Sequence, residues 1–350
     1  MRIILIGPFP KPTSGMSFIN DSFFKKLKKR GKKIIKLDTT YKNHQKNLFN
    51  LLSKPFFMIK KFYNLIYYIK YKKSIVYISL SASFGKNFDL IFILIAKLFK
   101  CKLIIHHHSS KYIINYSFFI KLICFLINKS DLHICLTKKM RNEFCKNYNI
   151  KNSISLSNNF FLNEIKENKR IKKKLITIGF LGNIIQEKGI FIFLKILKKL
   201  ASFNIKGIIG GPIIANKDYI KKKIYYTANL KYLGEVDNLK KENFFKKIDI
   251  LLFPSKLTEA EPLVILECMA RGIPVIAIDK GYIKEIINKN CGFVFSEKIY
   301  FKKTINILIK FAEKKLKLEN FSRNCFFQSK HNNKLSQKKF QSLINYIDEN

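Results

Sequence analysis

The chain has 350 residues, enough for two α/β domains of ordinary size that each bury a core. Its 67 Lys and Arg residues against 23 Asp and Glu give a net charge of +44, and such an excess favours nucleic acid or an anionic membrane surface as a partner. No RNA- or DNA-binding motif accompanies the charge, and plentiful Lys, Ile, Asn, Phe and Tyr are typical of AT-rich codon usage, so nucleic acid is not expected.

Three features bear on where the protein works. The opening segment MRIILIGPFP has one basic residue and an apolar run too short for a signal peptide, so it predicts a first strand. The apolar runs at 88–99 and 113–127 are interrupted by Lys97 and Lys121, so neither supplies the roughly 18 uncharged residues of a membrane span. Seven cysteines without a C-x-x-C pair indicate reduced thiols. The expected location is the cytoplasm.

Strand and helix patterns alternate along the first half of the chain, which predicts a doubly wound parallel sheet with helices on both faces. Pro55 is expected to divide the second helix in two. The predicted strands are 3–6, 34–37, 75–78, 103–105, 132–135 and 154–156, and the predicted helices lie near 17–30, 47–70, 86–99, 113–128 and 137–147.

A second alternating series follows the charged stretch NEIKENKRIKKK at 163–174, which lacks apolar periodicity and predicts a linker. The predicted fold class is α/β, with two Rossmann-like domains, 1–165 and 175–330, facing each other across a cleft, and a C-terminal helix within 331–350. The predicted strands of this half are 176–181, 206–209, 231–233, 250–253 and 274–278, and the predicted helices lie near 188–202, 217–228, 238–247, 262–271, 299–317 and 335–347.

The stretch from Phe253 to Ala277, FPSKLTEAEPLVILECMARGIPVIA, combines a loop, a helix and a strand with two acids at the entrance. Glu259 and Glu267 lie eight residues apart around the helix start. Pro262 suits the first helical turn, where a missing N–H has no consequence, and Gly272 ends the helix. An apolar run then predicts a buried parallel strand.

Such an entrance suits a ligand that combines phosphate with hydroxyl groups. Backbone N–H groups at Leu263 and Val264 would face an anion, which the helix dipole also favours. A carboxylate can accept two hydrogen bonds from a vicinal diol such as a ribose. Together these features predict a nucleotide sugar as the ligand.

The segment resembles the donor-binding motif of the retaining glycosyltransferases of family 4, also called glycosyl transferases group 1. In that motif two glutamates separated by seven residues precede a small-residue helix and a G-x-P-V-I strand, and Glu259, AEPLVIL and Glu267 keep the spacing. The family pattern has Gly-Phe-Gly after the first glutamate, where this chain has Ala260, Glu261 and Pro262, a departure that concerns the shape of the sugar pocket. The resemblance implies the GT-B fold, with Glu267 at the ribose and Glu259 at the sugar hydroxyls. It also implies a closing helix that crosses back onto the first domain, a role that residues 337–347 could take.

A second segment of the resemblance is FLGNIIQEKG at 180–189, between a predicted strand and a predicted helix. Gly182 permits a tight turn, and Lys188 lies where an ammonium would meet a diphosphate at the helix start. The segment looks like the family's G-R-x-x-x-x-K-G element, with Asn183 in place of the arginine, and the loss of that planar cation should weaken leaving-group stabilisation. Taken alone, the segment is more simply a helix-capping loop with a solvated lysine.

The first domain contributes weaker candidates. Gly15 follows the first strand in a loop where the resemblance has a Gly-Gly pair near phosphate, although three prolines explain an ordinary surface turn equally well. His106, His107 and His108 lie at the expected carboxyl edge of the sheet, and strand alternation predicts that His107 points away from the other two. The resemblance places a histidine beside the reacting sugar, and His108 is the first choice, with a structural histidine as the alternative. No carboxylate or thiol joins the cluster at ligand spacing, so no metal site is expected.

Residues 47–73, NLFNLLSKPFFMIKKFYNLIYYIKYKK, interleave aromatic residues with lysines. Lysines that snorkel beside Phe and Tyr could lay this face on an anionic leaflet. An amphipathic helix pair packed on the sheet explains the same pattern, so peripheral membrane contact stays an open alternative.

The resemblance implies a glycosyltransferase that moves a sugar from a UDP- or GDP-linked donor to a glycan or lipid-linked acceptor in polysaccharide or lipopolysaccharide synthesis, with retention and without a metal or other cofactor. Catalysis would rest on positioning and leaving-group stabilisation, and domain closure about 163–174 would exclude water. A basic binding protein without turnover and a nucleotide-sugar epimerase, both on the same fold, are the alternatives. Glycoside hydrolysis is a poorer interpretation, because neither glutamate has an opposed partner across a cleft.

Overall fold

The computed structural model describes residues 2–11, 14–41, 48–70, 73–82, 85–162 and 175–349, without the side chains of 48–52 and 238–239. The chain divides into two compact units, unit 1 with Met1–Phe161 and Leu335–Asn350, and unit 2 with Leu162–Lys334. Each unit contains a six-stranded sheet in which the strands are parallel, so the predicted α/β class with two parallel-sheet domains is confirmed. The predicted linker at 163–174 lies outside the described residues.

The sheet of unit 1 has the strand order β2-β1-β3-β4-β5-β6, in which the order reverses beside β1 as in other doubly wound sheets. All seven residues of β3 are buried, as expected for a central parallel strand that is covered on both faces. The elements are β1 Arg2–Gly7, α1 Gly15–Lys29, β2 Ile34–Asp38, α2 Leu48–Ile69, β3 Ser74–Leu80, α3 Gly85–Leu98, β4 Lys102–His107, α4 Lys111–Ile114, α5 Phe118–Leu126, β5 Leu132–Cys135, α6 Lys138–Tyr148 and β6 Ser153–Ser155.

Two helix predictions for unit 1 are wrong. Pro55 does not divide α2, which continues through it. The φ angle that proline fixes is itself helical, and the buried stripe of Met58, Leu65 and Ile69 beyond it holds the helix on the protein despite one missing backbone hydrogen bond. Conversely, the single helix predicted at 113–128 is two short helices, because Asn115 at the end of α4 and Ser117 before α5 have extended backbone.

The sheet of unit 2 has the order β12-β11-β10-β7-β8-β9. Its last strand, β12, was not predicted, and it pairs in parallel with β11. The elements are β7 Ile176–Leu181, α7 Ile190–Lys199, β8 Ile205–Gly210, α8 Lys217–Tyr225, β9 Leu230–Tyr232, α9 Asn238–Lys247, β10 Ile250–Phe253, α10 Leu263–Ala270, β11 Val275–Ile278, α11 Ile283–Ile286, β12 Gly292–Phe295 and α12 Glu297–Ala312.

The last helix, α13 Leu318–Glu349, contributes to both units. The prediction placed helices at 299–317 and 335–347, whereas the structure has α12 and then one helix of 32 residues. In unit 1, the ring of Phe340 on α13 lies 6.0 Å from that of Phe23 on α1 and 4.7 Å from that of Phe160. The final part of α13 therefore contributes to the hydrophobic core of unit 1.

Two general findings follow from the helices and side chains. Across the described part of the chain, every helix is too short or too polar to traverse a bilayer. Within those same residues, no three His, Cys, Asp or Glu side chains gather closely enough to hold a metal ion.

Candidate functional site

Two loops of unit 2 meet because their strands are neighbours. β7 and β10 pair in parallel, so the loops that leave their carboxyl ends lie side by side at the edge where doubly wound sheets bind ligands. The loop after β7 carries Lys188 and the loop after β10 carries Glu259. The Lys256 amide donates to the Glu187 carbonyl at 2.8 Å, and this bond fixes the two loops to each other.

Lys188 and Glu259 form an ion pair, with 2.5 Å between Nζ and Oε1. The same carboxylate oxygen accepts a hydrogen bond from the Ser255 hydroxyl at 3.1 Å. Both members of the pair are partly buried, so the pair is screened and contributes on the order of 1 kcal/mol to stability. The position of the pair indicates a ligand site, because it places a cation and a carboxylate together at the edge of the sheet where ligands bind.

Two glycines allow the backbone around this ion pair to pack closely. Gly189, directly after Lys188, has φ +83°, and a Cβ there would lie 2.1 Å from the Pro254 carbonyl oxygen. Gly281 has φ +69°, and a Cβ there would lie 2.0 Å from the Glu259 carbonyl oxygen. That carbonyl also accepts the Tyr282 amide at 3.0 Å. The backbone of Glu259 is therefore held by contacts that only glycine at 281 permits.

Glu267 lies on α10 and is almost buried. Its Oε1 accepts a hydrogen bond from Lys241 Nζ of α9 at 2.6 Å. Its Oε2 is buried and has no hydrogen-bond partner among the described residues. A buried carboxylate oxygen without a donor is uncommon in a protein interior, so this atom keeps an unused acceptor.

The N-terminus of α10 lies between the two acids in the sequence. Pro262 occupies the N-cap position rather than the first turn that was predicted, and its carbonyl accepts the amides of Ile265 and Leu266 at 3.1 and 3.4 Å. Leu263 and Val264 are the first two helical residues, and their N–H groups precede any carbonyl of the helix that could accept them. These two amides therefore have the orientation that an anion needs.

Gly182 and Asn183 directly follow β7, at the start of the loop that carries Lys188. The Gly182 amide donates to the Gly210 carbonyl at 3.1 Å, which fixes the turn to the end of β8. Asn183 is exposed, between this turn and the buried Ile184. Asn183 thus stands at the surface of unit 2 at the end of β7.

Gly15 is the first residue of α1 in unit 1. The preceding residue, Ser14, forms a capping box with Ser17, in which the Ser17 amide donates to the Ser14 hydroxyl at 3.1 Å and the Ser14 amide to the Ser17 hydroxyl at 2.7 Å. Residues 12–13 of the same loop lie outside the described part of the chain. The structure accounts for this segment as a helix cap.

The three histidines alternate as predicted. The rings of His106 and His108 lie 4.0 Å apart, and Tyr77 OH lies 2.5 Å from His106 Nδ1. His107 points to the other side, with Nδ1 3.0 Å from Tyr112 OH and Nε2 3.0 Å from His133 Nδ1. His106 and His107 are therefore embedded in unit 1, while His108, directly after β4, is partly exposed as a residue but has a buried ring Nε2.

Burial disfavours the charged form of these rings. It lowers the pKa of His108 to about 4, and it holds the pKa values of His106 and His107 well below the ordinary value, helped by the neighbouring imidazoles. The Nε2 atoms of His106 and His108 are buried without a hydrogen-bond partner in the described residues. The neutral His108 ring can therefore donate or accept one further hydrogen bond.

Two polar contacts of the site were not predicted. Lys241 belongs to a lysine-rich helix whose sequence resembles many solvated faces of this chain, so no signal distinguishes it. The position of Ser255 between the end of β10 and Glu259 offers only a weak signal for its polar contact.

Comparison with known proteins supports the motif interpretation of unit 2. Residues 162–325 match the family described as Glycosyl transferases group 1. The matched part of the chain contains Lys188, Glu259 and Glu267.

Curated relatives share part of their length with this chain. An uncharacterized glycosyltransferase of Haemophilus influenzae is 25% identical over 174 residues, which is 48% of each protein. The lipopolysaccharide 1,2-N-acetylglucosaminetransferase of Salmonella typhimurium is 28% identical over 134 residues, 35% of each. Protein CapJ of Staphylococcus aureus is 27% identical over 232 residues, 63% of this chain and 56% of CapJ. The chain thus matches between about a third and just over half of these relatives' lengths.

Solved structures match nearly the whole chain. HepE from Anabaena, in complex with UDP and glucose, superposes with a TM-score of 0.66 at 15% identity and covers 98% of this chain and 100% of its own. The sucrose-phosphate synthase of Thermosynechococcus elongatus gives a TM-score of 0.72 at 13% identity and covers 100% of both chains. Both likenesses concern the fold, and they agree with the GT-B class that the motifs imply.

Proposed function

We propose that this protein is a glycosyltransferase that moves a sugar from a nucleotide-sugar donor to a glycan or lipid-linked acceptor, with retention of anomeric configuration. The observation that carries the proposal is the pairing of Lys188 with Glu259 beside the N-terminus of α10, in the part of the chain that matches the glycosyl transferases group 1 family. A cation, helix amides and a carboxylate at one sheet edge are the groups that a sugar diphosphate requires.

Each side chain has a proposed role. The donor diphosphate competes with Glu259 for the Lys188 ammonium and also accepts the amides of Leu263 and Val264, so that negative charge on the leaving group is stabilised as the bond to the sugar breaks. Glu259, released from Lys188, then accepts hydrogen bonds from the sugar hydroxyls. In this proposal the chain's own cation and amides act on the leaving group, and no metal or other cofactor is required.

Glu267 is proposed to bind the ribose of the donor. Its Oε2 has an unused acceptor in a nearly buried position, and Lys241 fixes the other oxygen. A ribose hydroxyl that donates to Oε2 would satisfy the buried oxygen, which favours binding more than a contact in open solvent does. His108, neutral at physiological pH because burial lowers its pKa to about 4, is proposed to contact the acceptor by a hydrogen bond.

The wider setting of the reaction follows by similarity. A solved neighbour binds UDP-glucose, and two curated relatives are a lipopolysaccharide N-acetylglucosaminetransferase and the protein CapJ. We therefore propose a UDP- or GDP-linked hexose as donor, a role in polysaccharide or lipopolysaccharide synthesis, and a cytoplasmic location with contact to the inner membrane surface.

The test is a donor screen followed by two substitutions. UDP-, GDP- and other nucleotide-sugars are screened for saturable binding, and transfer is then measured with the donor that binds. Lys188→Ala and Glu267→Ala should each lower transfer about a hundredfold or more, because each removes a contact to the diphosphate or the ribose. Lys256→Ala is the control, since its side chain lies in the same loop but pairs with Glu297 on the surface. Turnover like that of the native protein in either site variant would contradict the assignment.

One observation favours a second candidate, a binding protein without turnover. Asn183 stands where the family motif has an arginine, and its exposed amide cannot stabilise a leaving diphosphate as a guanidinium does. A thermal shift with nucleotide sugars but no donor consumption in the presence of acceptors would favour the binder. Nucleotide release without any acceptor would instead favour an epimerase.

A further inference from the structure

Helix α2 of unit 1 is apolar on two opposite faces. Met58, Leu65 and Ile69 are buried against the protein. Half a turn away, the exposed face carries Phe56, Ile59, Tyr63 and Tyr67, at the i, i+3, i+7 and i+11 positions of one stripe, and Phe56 is 74% exposed. An ordinary surface helix is polar on its outer face, so this second apolar stripe calls for a partner.

Helices α3 and α5 repeat the pattern. The outer face of α3 carries Ile91, Leu94 and Leu98, again at i, i+3 and i+7 spacing, and Leu98 is 79% exposed. The outer face of α5 carries Phe118, Leu122 and Phe125, and the two phenylalanines are 76% and 84% exposed. Three helices that each expose an apolar stripe are not explained by scattered surface hydrophobes.

The three stripes belong to one surface. α2 packs on α3, and α3 packs on α5. Each connects parallel strands of the same sheet by a right-handed crossover, β2 to β3, β3 to β4 and β4 to β5, so all three lie on the same side of it. The Lys86 ammonium of α3 lies 4.8 Å from the ring of Phe119 on α5, a contact that joins their edges. We call this surface the three-helix face.

The charge around the three-helix face is of one sign. The described residues between 48 and 131 include twelve lysines and only two acids, Asp89 and Asp131. Both acids are buried, and Asp131 is paired with Lys97, so they contribute little to the surface potential. Lys60 and Lys121 are exposed within the apolar stripes of α2 and α5 themselves.

We propose that the three-helix face is a membrane-docking surface that lies in the interface of an anionic lipid bilayer. Its exposed Phe and Leu side chains would enter the boundary of headgroups and acyl chains, while the lysines, on flexible stems, reach the lipid phosphates. The described helices are too short or too polar to span a bilayer, so the contact is peripheral. A second copy of the chain fits less well, because two lysine-rich faces would repel each other on contact.

The proposal is independent of glycosyl transfer, because vesicle binding is measured without donor or acceptor. The full chain is sedimented with vesicles of phosphatidylcholine alone and with vesicles that contain phosphatidylglycerol. We expect binding to the phosphatidylglycerol vesicles only, weakened at least tenfold between about 0.05 M and about 0.5 M salt because screening shortens the reach of the lysines. Failure to bind anionic vesicles at low salt would overturn the proposal.

Matched double variants locate the surface. Phe118→Ser with Phe125→Ser should weaken vesicle binding about tenfold or more, whereas Tyr225→Ser with Tyr226→Ser, which removes two equally exposed aromatic residues from unit 2, should leave it unchanged. Lys60→Glu with Lys121→Glu should weaken binding with the folded state intact, because both side chains are exposed, and Lys221→Glu with Lys222→Glu on α8 is its control. Equal losses in the control variants would show binding by net charge alone and would overturn the assignment.

Because the sequence contains no tryptophan, the fluorescence of one introduced tryptophan can report whether that position enters the bilayer. Phe125→Trp introduces the single indole of the chain, and its emission should shift to shorter wavelength on anionic vesicles and be quenched by brominated acyl chains. Tyr225→Trp should show neither change. An unshifted Phe125→Trp spectrum on vesicles that bind the protein would overturn the proposal, as would a dimer in solution that Phe118→Ser with Phe125→Ser converts to monomers without any vesicle binding.

Discussion

Glu267 has one carboxylate oxygen paired with Lys241, and the other is buried without a partner among the residues that the structure describes. Lys241→Met should therefore leave a nearly buried carboxylate without its cation, which costs about 1 to 2 kcal/mol of unfolding free energy in unit 2. The same change should weaken nucleotide-sugar binding, because the contact with Lys241 that orients the Glu267 carboxylate is lost. Thermal unfolding and ligand titration measure the two effects.

Lys240→Met is the control for this prediction, because Lys240 is exposed on the same helix. Adding Glu267→Gln to Lys241→Met should restore stability but not binding, because the unpaired charge is gone while the carboxylate is still missing. A Lys241→Met protein with unchanged stability and affinity would contradict a positioning role for this lysine.

The buried histidines of unit 1 predict a stability that depends on pH. Burial lowers the pKa of His133 to about 4, against the opposing effect of Asp131, and the pKa of its neighbour His107 is also held well below the ordinary value. The unfolded chain takes up these protons below pH about 6.5, whereas the folded chain protonates His133 only near pH 4 and His107 only well below its ordinary pKa, so stability falls as pH decreases below about 6.5. The thermal midpoint should drop accordingly between pH about 7 and pH about 5.

His133→Gln should flatten this pH dependence, although it also removes the hydrogen bond to His107 and lowers the midpoint at neutral pH. His331→Gln, which changes an exposed histidine on α13, should leave the slope as it is. Identical slopes in the native protein and in His133→Gln would count against the buried ring as the cause.

At the scale of residues, Lys188 and Glu259 could each be predicted from the sequence as site residues, but the contact between them could not. Lys188 and Glu259 are each marked by a glycine or a helix start nearby, yet they are 71 positions apart and only the pairing of β7 with β10 brings them together. Lys241 could not be chosen, because it is one of four lysines between 240 and 247 and its partner is set by packing.

At the scale of elements, the turn after β11 supports the loop that carries Glu259. Gly281→Ala should destabilise unit 2 by more than the roughly 1 to 2 kcal/mol of a left-handed alanine, because the new Cβ would also overlap the Glu259 carbonyl, and donor affinity should fall as that backbone moves. Gly31→Ala is the matched control, since φ is +72° and no atom of the described residues lies within 4 Å of the new Cβ. Thermal unfolding and titration measure both variants. Equal effects would show that overlap with the Glu259 carbonyl does not cause the loss of stability and affinity in Gly281→Ala.

The elements that prediction missed are those whose form depends on distant neighbours. β12 has four residues and begins with Gly292, a residue that weakens strands, and it exists because it pairs with β11. α2 survives Pro55 because packing beyond it outweighs one lost hydrogen bond. Long Ile- and Leu-rich runs such as β1 and β3 were placed within a residue or two, since burial on both faces leaves a clear pattern.

At the scale of the whole molecule, α13 supplies unit 1 with Phe340, which is buried against Phe23 and Phe160. Phe340→Ala should lower the stability of unit 1 by about 3 to 5 kcal/mol and leave nucleotide binding in unit 2 unchanged. Phe327→Ala on the same helix is the control, because Phe327 is more than half exposed and its loss should change stability by less than about 0.5 kcal/mol.

Hydrogen exchange read by mass spectrometry separates the units in this experiment. Amides of β1 and β3 should exchange faster in Phe340→Ala, while those of β7 and β10 should keep their protection. Faster exchange in both sheets to the same degree would contradict the assignment of residues 335–349 to unit 1. The sequence predicted a helix here but not its length, because its largely polar residues 318–334 show little periodicity before the packing of Cys325 and Phe321 is known.

The placement of Leu335–Asn350 with unit 1 also sets the order in which the protein is completed during synthesis. The ribosome makes the strands of unit 1 first, but Phe23 and Phe160 lack their contacts with Phe340 until the end of α13 has been translated. By then every residue of unit 2 already exists. The core of unit 1 is thus completed only after all of unit 2 has been synthesised, and until then it lacks the ring of Phe340.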